Sequence, residues 1–457
     1  PISIFRLPIF WLFLGPPAFR AGGARSAMES VEGGQDIWNY IRLAWWLVFG
    51  IVAVIEIAKD RQSIQYLFNY IRGLHLWIGA MLLAVFASAA VSPSPTFTFA
   101  NAALLTILAL AGLDLALKLF RGAISPQRTL KLLLGASVLM LLVTTVVHLV
   151  SPDMVGGESF SGRRIRGNSV AYTPLLGQIV VLVALYFRFA GGLRRNWLPW
   201  ALLVFGIVWL YYGQTRSSYL GLGLALGLML WQWTDLKRNL VLLIALAAIG
   251  ISGICGIIML SDASHTIRWE MDQAYKRFVL RDKYAVQDRE FAEKNIGSLN
   301  GRTDVAALLI DASATKPLGM GFIAGPRVYL QSDEVVGELN SQAFGNAHNA
   351  FIEMWSGAGY VAFFGSLAMV WLGFGLGRWV PGREALTLRV LLVVITLEGV
   401  FESDMVLPFK QSSVLFFMLV CSLAALGARQ HLFHDLSGRR SVRPVTRRAP
   451  DRRAVPA

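Results

Sequence analysis

Charge is scarce in this chain. Only 15% of its 457 residues are Asp, Glu, Lys or Arg, against roughly 25% in ordinary globular chains. Hydrophobic residues make up 55% and the mean hydropathy is +0.55. That balance excludes a soluble domain and predicts a membrane protein. Cysteine is scarcer still: Cys255 and Cys421 both sit in apolar runs, so neither a disulfide framework nor a thiolate metal site is expected. The six histidines, His75, His148, His265, His348, His431 and His434, fall in no HxH or HExxH pattern. No bound metal and no cofactor are expected.

What the chain has in abundance is long apolar runs. A helix needs about 20 such residues to cross a bilayer. Runs of this kind lie near 41–58, 73–91, 99–118, 132–150, 173–190, 197–213, 218–234, 240–260, 357–377, 388–406 and 410–428. The stretch 1–19 is weaker, with Arg6 and the Pro16-Pro17 pair; it reads either as a cut-down first span or as a signal-like leader. Counting it, the expectation is an all-α polytopic fold of about twelve transmembrane helices.

Lys and Arg favour cytoplasmic loops. Lys59, Arg61 and Arg72 share one loop, and Arg121, Arg128 and Lys131 the next alternate one. Arg194 and Arg195, Lys237 and Arg238, then Arg378, Arg383 and Arg389 continue the series. Both ends of the chain are thus expected in the cytoplasm, with the bundle in an inner membrane. The net charge of +14 follows from this topology. The basic tail 429–457 is expected to be disordered and to contact anionic lipid; no folded basic module points to nucleic acid.

The outer side breaks the pattern. The loop "SPDMVGGESFSGRRIRGNSVAY" gathers Arg163, Arg164 and Arg166 where arginine should be rare. "YYGQTRSSYL" places Arg216 at a membrane edge, where it either snorkels to the interface or marks a ligand. A long polar insertion, 261–347, separates the ninth and tenth spans. Its part 266–294 has the spacing of an amphipathic helix. "RTDVAALLIDA" predicts a short helix with Arg302 in its first turn, and "KPLGMGF" predicts a loop. The insertion ends in "GNAHNAFIEMWSGAGY", where His348 and Asn349 stand between a polar loop and a helix.

These side chains suit one chemistry. Arginine forks grip phosphate oxygens in pairs and stay charged. Arg164, Arg216 and Arg302 together would hold a lipid pyrophosphate and stabilise the charge growing on it as it leaves. A histidine beside them would take the proton of an attacking hydroxyl. Glu402 and Asp404, in "FESDMVLPFK", are the nearby acids. Glu402 would either orient the His348 ring or belong to a solvated loop or ion pair. A lipid-phosphate transporter would use similar residues, with Asp114 as its coupling acid.

In order along the chain, "RIRG" at 164–167, "GQTRSSYLG" at 213–221, "GRTDVAALLIDASATKPLGMGF" at 301–322 and "HNAFIEMWSGAGY" at 348–360 resemble the motifs of the O-antigen ligase and polymerase superfamily. The resemblance covers about 160–405. It implies a metal-independent membrane glycosyltransferase of the GT-C type, acting on undecaprenyl-pyrophosphate glycans. It implies that Arg216 and Arg302 contact pyrophosphate and that His348 is the base. It also implies, less directly, that Arg164, or Arg163 or Arg166 in its place, joins them, with Asn349 and Glu402 as further substrate-side candidates. The chain departs from the family pattern at Ala306, at Ala362 and at Tyr172-Thr173-Pro174.

The favoured expectation is an O-antigen ligase moving polysaccharide from undecaprenyl pyrophosphate to a sugar hydroxyl of lipid A–core. An O-antigen polymerase and a protein O-oligosaccharyltransferase share the donor and the base. The organisation expected is spans in 1–260, an outer insertion at 261–347, three more spans in 348–428 and the basic tail 429–457.

Overall fold

The computed structural model describes residues 3–15, 37–71, 73–150, 172–193, 195–213, 216–233, 302–332 and 347–440. Expectations that fall elsewhere lie outside the described residues. They are the span at 240–260, the amphipathic stretch 266–294, Arg163, Arg164 and Arg166, and the tail past 440.

Among the described residues the regular structure is helical. In order come α1 (Pro8–Phe13), α2 (Ile37–Ala58), α3 (Arg61–Tyr70), α4 (Leu74–Ala87), α5 (Pro95–Phe120), α6 (Pro126–Val150) and α7 (Tyr172–Ala190). Then follow α8 (Leu198–Gly213), α9 (Arg216–Trp233), α10 (Arg302–Ser313), α11 (Ala324–Leu330), α12 (Ala350–Gly377), α13 (Arg383–Phe401) and α14 (Gln411–Arg440). Seven of these helices are long and apolar enough to cross a membrane. The protein is therefore a polytopic all-α membrane protein. α13 falls outside that set because Arg383, Glu384, Arg389 and Glu398 punctuate it.

The bundle is layered by burial. Every residue of α14's apolar window is buried inside the protein, whereas most of α2's and α4's is not. α14 therefore forms the centre, packed by α5, α12 and α13, and α2 turns Leu47, Val48, Ile51 and Val54 outward, as a lipid-facing surface would. Small residues set the closest approaches, as in membrane bundles generally. A Cβ on Gly177 of α7 would stand 3.0 Å from the Gly206 carbonyl oxygen of α8.

Two boundaries differ from expectation. α1 has six residues, about 9 Å at 1.5 Å per residue, and so does not cross a hydrocarbon core of about 30 Å. It is instead a buried plug: Ile9, Phe10 and Phe13 pack in the core. At the other end, α14 runs on to Arg440, so 429–440 is helix rather than disordered tail. "ARQHLF" continues the helical register, with Arg429 stacked over Phe433 one turn on and its guanidinium against Gly122.

The basic end of the bundle is laced by ion pairs. Buried Lys118 meets Asp114 at 2.7 Å and Glu56 at 3.4 Å, and Arg121 meets Asp60 at 2.7 Å. Asp114 thus has a cation one turn away on its own helix.

The feature that positions the opposite end is a break in α12. Gly359 has φ 80 and ψ −173, a conformation open essentially to glycine alone. The break frees the carbonyls of Ser356 and Gly357, and the loop "PLGMGF" fills them: Met320 N–H donates to Ser356 O (2.8 Å) and Gly321 N–H to Gly357 O (2.9 Å). Freed backbone groups at membrane depth need such partners. A Cβ on Gly359 would collide with the Pro317 carbonyl. The same loop is pinned from behind, where Phe322 N–H donates to Ser88 Oγ (3.1 Å) and Thr98 Oγ1 donates to Phe322 O (3.2 Å).

Candidate functional site

The site begins at the N-terminus of α12. Asn349 caps the helix: its Oδ1 accepts from Phe351 N–H (2.9 Å) and Ile352 N–H (3.0 Å). Asparagine at this position satisfies backbone donors that the helix cannot. Its Nδ2 donates across to Val400 O (3.0 Å), which ties α12 to the last turn of α13. Asn349 is therefore a structural clamp as well as the substrate-side candidate the motif implies.

His348 precedes the cap with φ 47, a left-handed conformation that a non-glycine residue holds only when its surroundings impose it. Two contacts impose it. Behind it, Ala347 N–H donates to Glu353 Oε2 (3.0 Å), so a buried carboxylate one turn into α12 reaches back over the cap. In front, His348 Nδ1 lies 3.2 Å from Glu402 Oε2. Glu402 has extended backbone just past the end of α13, and its N–H is held by Glu398 O at 2.7 Å. The imidazole is one-quarter exposed and the Glu402 carboxylate less so. Glu402 thus meets the histidine ring, the contact that orienting it would require. The neighbouring Asp404 instead faces Lys410 at 3.5 Å.

Arg302 is the first residue of α10 and Arg216 the first of α9. Both helices lead back to the same end. Val305 and Leu309 of α10 form a small core with Met320, Leu330 and Ala347, so Arg302 begins a helix docked beside His348. Two residues after Arg216, Ser218 Oγ donates to Glu398 Oε1 (2.8 Å), one turn before Glu402. The starts of α9, α10 and α12 and the end of α13 are thus joined around one locus. Arg163, Arg164 and Arg166 lie outside the described residues. Among the described residues no three His, Cys, Asp or Glu side chains gather as metal ligands would.

Three features escaped the sequence reading. Glu353 lies four residues after the Asn349 cap, one beyond the capping-box position, and its bond to Ala347 N–H carried no pattern in the sequence. The break at Gly359 was signalled by "SGAG", since glycines inside a helical run mark breakers. The buried trio of Gln178, Ser218 and Glu398 carried no local signal. There Gln178 Nε2 donates to Ser218 O, and Glu398 is 2% exposed with its second oxygen unpartnered among the described residues.

Residues 201–367 match the family model described as O-antigen ligase. The match contains Arg216, Arg302, His348 and Asn349, and it stops before Glu402. No curated protein matches the chain.

Proposed function

With residues 201–367 as a domain of the O-antigen ligase and polymerase superfamily, we propose that this protein is the ligase. It transfers polysaccharide from undecaprenyl pyrophosphate to a sugar hydroxyl of lipid A–core at the periplasmic face of the bacterial inner membrane. The observation that carries the reading is the His348–Glu402 pair, 3.2 Å apart beside the helix starts that bear Arg216 and Arg302.

Glu402 accepts a hydrogen bond from Nδ1–H and leaves Nε2 as the basic nitrogen, the arrangement by which a carboxylate sets a histidine's tautomer. Nε2 takes the proton of the acceptor hydroxyl as its oxygen attacks the anomeric carbon. The carbon–oxygen bond to pyrophosphate breaks, and the bonding pair leaves with undecaprenyl pyrophosphate. Arg216 and Arg302, with an arginine of 163–166, hold the phosphates and stabilise the growing charge in place of a metal. Of the insertion, Val305, Leu309, Met320 and Leu330 pack with Ala347 beside this site.

The test is a gel of lipopolysaccharide and of carrier-linked glycan from a strain lacking the protein. Rough lipopolysaccharide with long polymer stranded on the carrier supports the ligase. Core bearing a single repeat unit supports the polymerase instead, and an unchanged ladder removes both and points to a protein acceptor or to transport.

A further inference from the structure

The two halves of the basic end treat their cations differently. Around α2 and α5, Lys118, Arg6, Lys59 and Arg121 all meet Glu56, Asp114 or Asp60. Between α12 and α13, Arg378, Arg383 and Arg389 line a cavity of about 510 Å³. Among the described residues none of the three pairs with a carboxylate. Arg378 lies over the Trp379 ring at 4.6 Å, and Arg383 donates to Phe189 O at 2.6 Å. Arg389 Nε is buried with no hydrogen-bond partner among the described residues. The one acid on this turn, Glu384, already accepts from the Tyr186 hydroxyl at 2.8 Å.

A preference of arginine for one side of a membrane explains which end these residues occupy. It does not explain why three of them share one cavity, or why a buried donor there lacks an acceptor, since buried donors are nearly always satisfied. We infer that this cavity binds the phosphate of an anionic lipid headgroup. Three guanidinium groups match the oxygens of one phosphate, and basic pockets between transmembrane helices hold such headgroups. Half-exposed Trp379 supplies the interfacial aromatic beside the site. The site lies at the far end of α12 from His348, beyond the Gly359 break and a further run of helix about 27 Å long, so it is separate from the transfer centre.

The full-length protein in a zwitterionic detergent is titrated with dihexanoyl phosphatidylglycerol, with dihexanoyl phosphatidylcholine and with inorganic phosphate, and its thermal unfolding is followed. The anionic lipid is expected to raise Tm saturably by several degrees, and Arg389→Gln to weaken its apparent affinity about tenfold. Arg378→Gln, an exposed change that leaves the packing alone, is expected to weaken it in the same direction. Equal stabilisation by the choline lipid, or unchanged affinity in both variants, overturns the site. Inorganic phosphate matching the lipid at equal concentration overturns the headgroup as its source. Sugar transfer plays no part in this readout, so its result stands apart from that of the ligase reading.

Discussion

His348 and Glu402 are 54 residues apart in the chain and 3.2 Å apart in space. Each stands at the end of a different helix, and Asn349 Nδ2 on Val400 O holds those two ends together. The two side chains, each just outside its helix, are therefore held at one corner where α12 and α13 meet.

Replacing Glu402 removes the orientation and leaves the ring. Glu402→Gln is expected to lower the transfer rate about 10–100-fold, the usual cost of losing a partner that orients a functional histidine. Retention of carrier-linked donor by the purified variant is expected to match the wild type. A single-turnover assay with a parallel binding measurement separates the two quantities.

The strut between α9 and α13 is a hydrogen bond to a buried carboxyl group, Ser218 Oγ to Glu398 Oε1. Ser218→Ala is expected to destabilise the protein by about 1–2 kcal/mol. Because the strut stands two residues from Arg216, donor KM is expected to rise more than kcat falls. Unfolding in detergent and steady-state kinetics on the same preparation check both halves of that expectation.

Gly359→Ala places a Cβ against the Pro317 carbonyl and forces alanine into a glycine-only conformation. The combined strain is expected to cost about 3 kcal/mol, read as a lower Tm and as protease sensitivity in 314–322. Gly375→Ala, where a Cβ meets nothing within 4 Å, is the control expected to stay near wild type.

Arg302→Lys keeps the charge at the first residue of α10 and loses the fork. Lysine cannot grip two phosphate oxygens in parallel, so a loss of about 100-fold in kcat/KM is expected, on the order of one lost transition-state donor. An unaltered rate would remove Arg302 from pyrophosphate contact.

Most of the architecture was legible because bilayer thickness imposes length and hydropathy on each span. Pro95–Phe120, Pro126–Val150 and Tyr172–Ala190 fall within a few residues of the apolar runs that predicted them. The short helix Arg302–Ser313 was legible from its own composition. α1 misled because an apolar stretch reads alike whether it crosses the membrane or plugs the core. In the site, His348 stood out through its motif, while Glu402 had two open readings until the ends of α12 and α13 were placed side by side. The Ser218–Glu398 bond spans 180 residues, and pairings of that range follow from packing alone.

His348 is proposed to perform the proton transfer of a metal-free glycan transfer. The most direct measurement reconstitutes the full-length protein in vesicles with carrier-linked polysaccharide and lipid A–core, in excess chelator, and compares wild type with His348→Ala. Smooth lipopolysaccharide is expected from the wild type and none from the variant, with equal donor retention by both. Product from His348→Ala at the wild-type rate, or wild-type activity that disappears in chelator and returns with a divalent ion, would contradict that proposal.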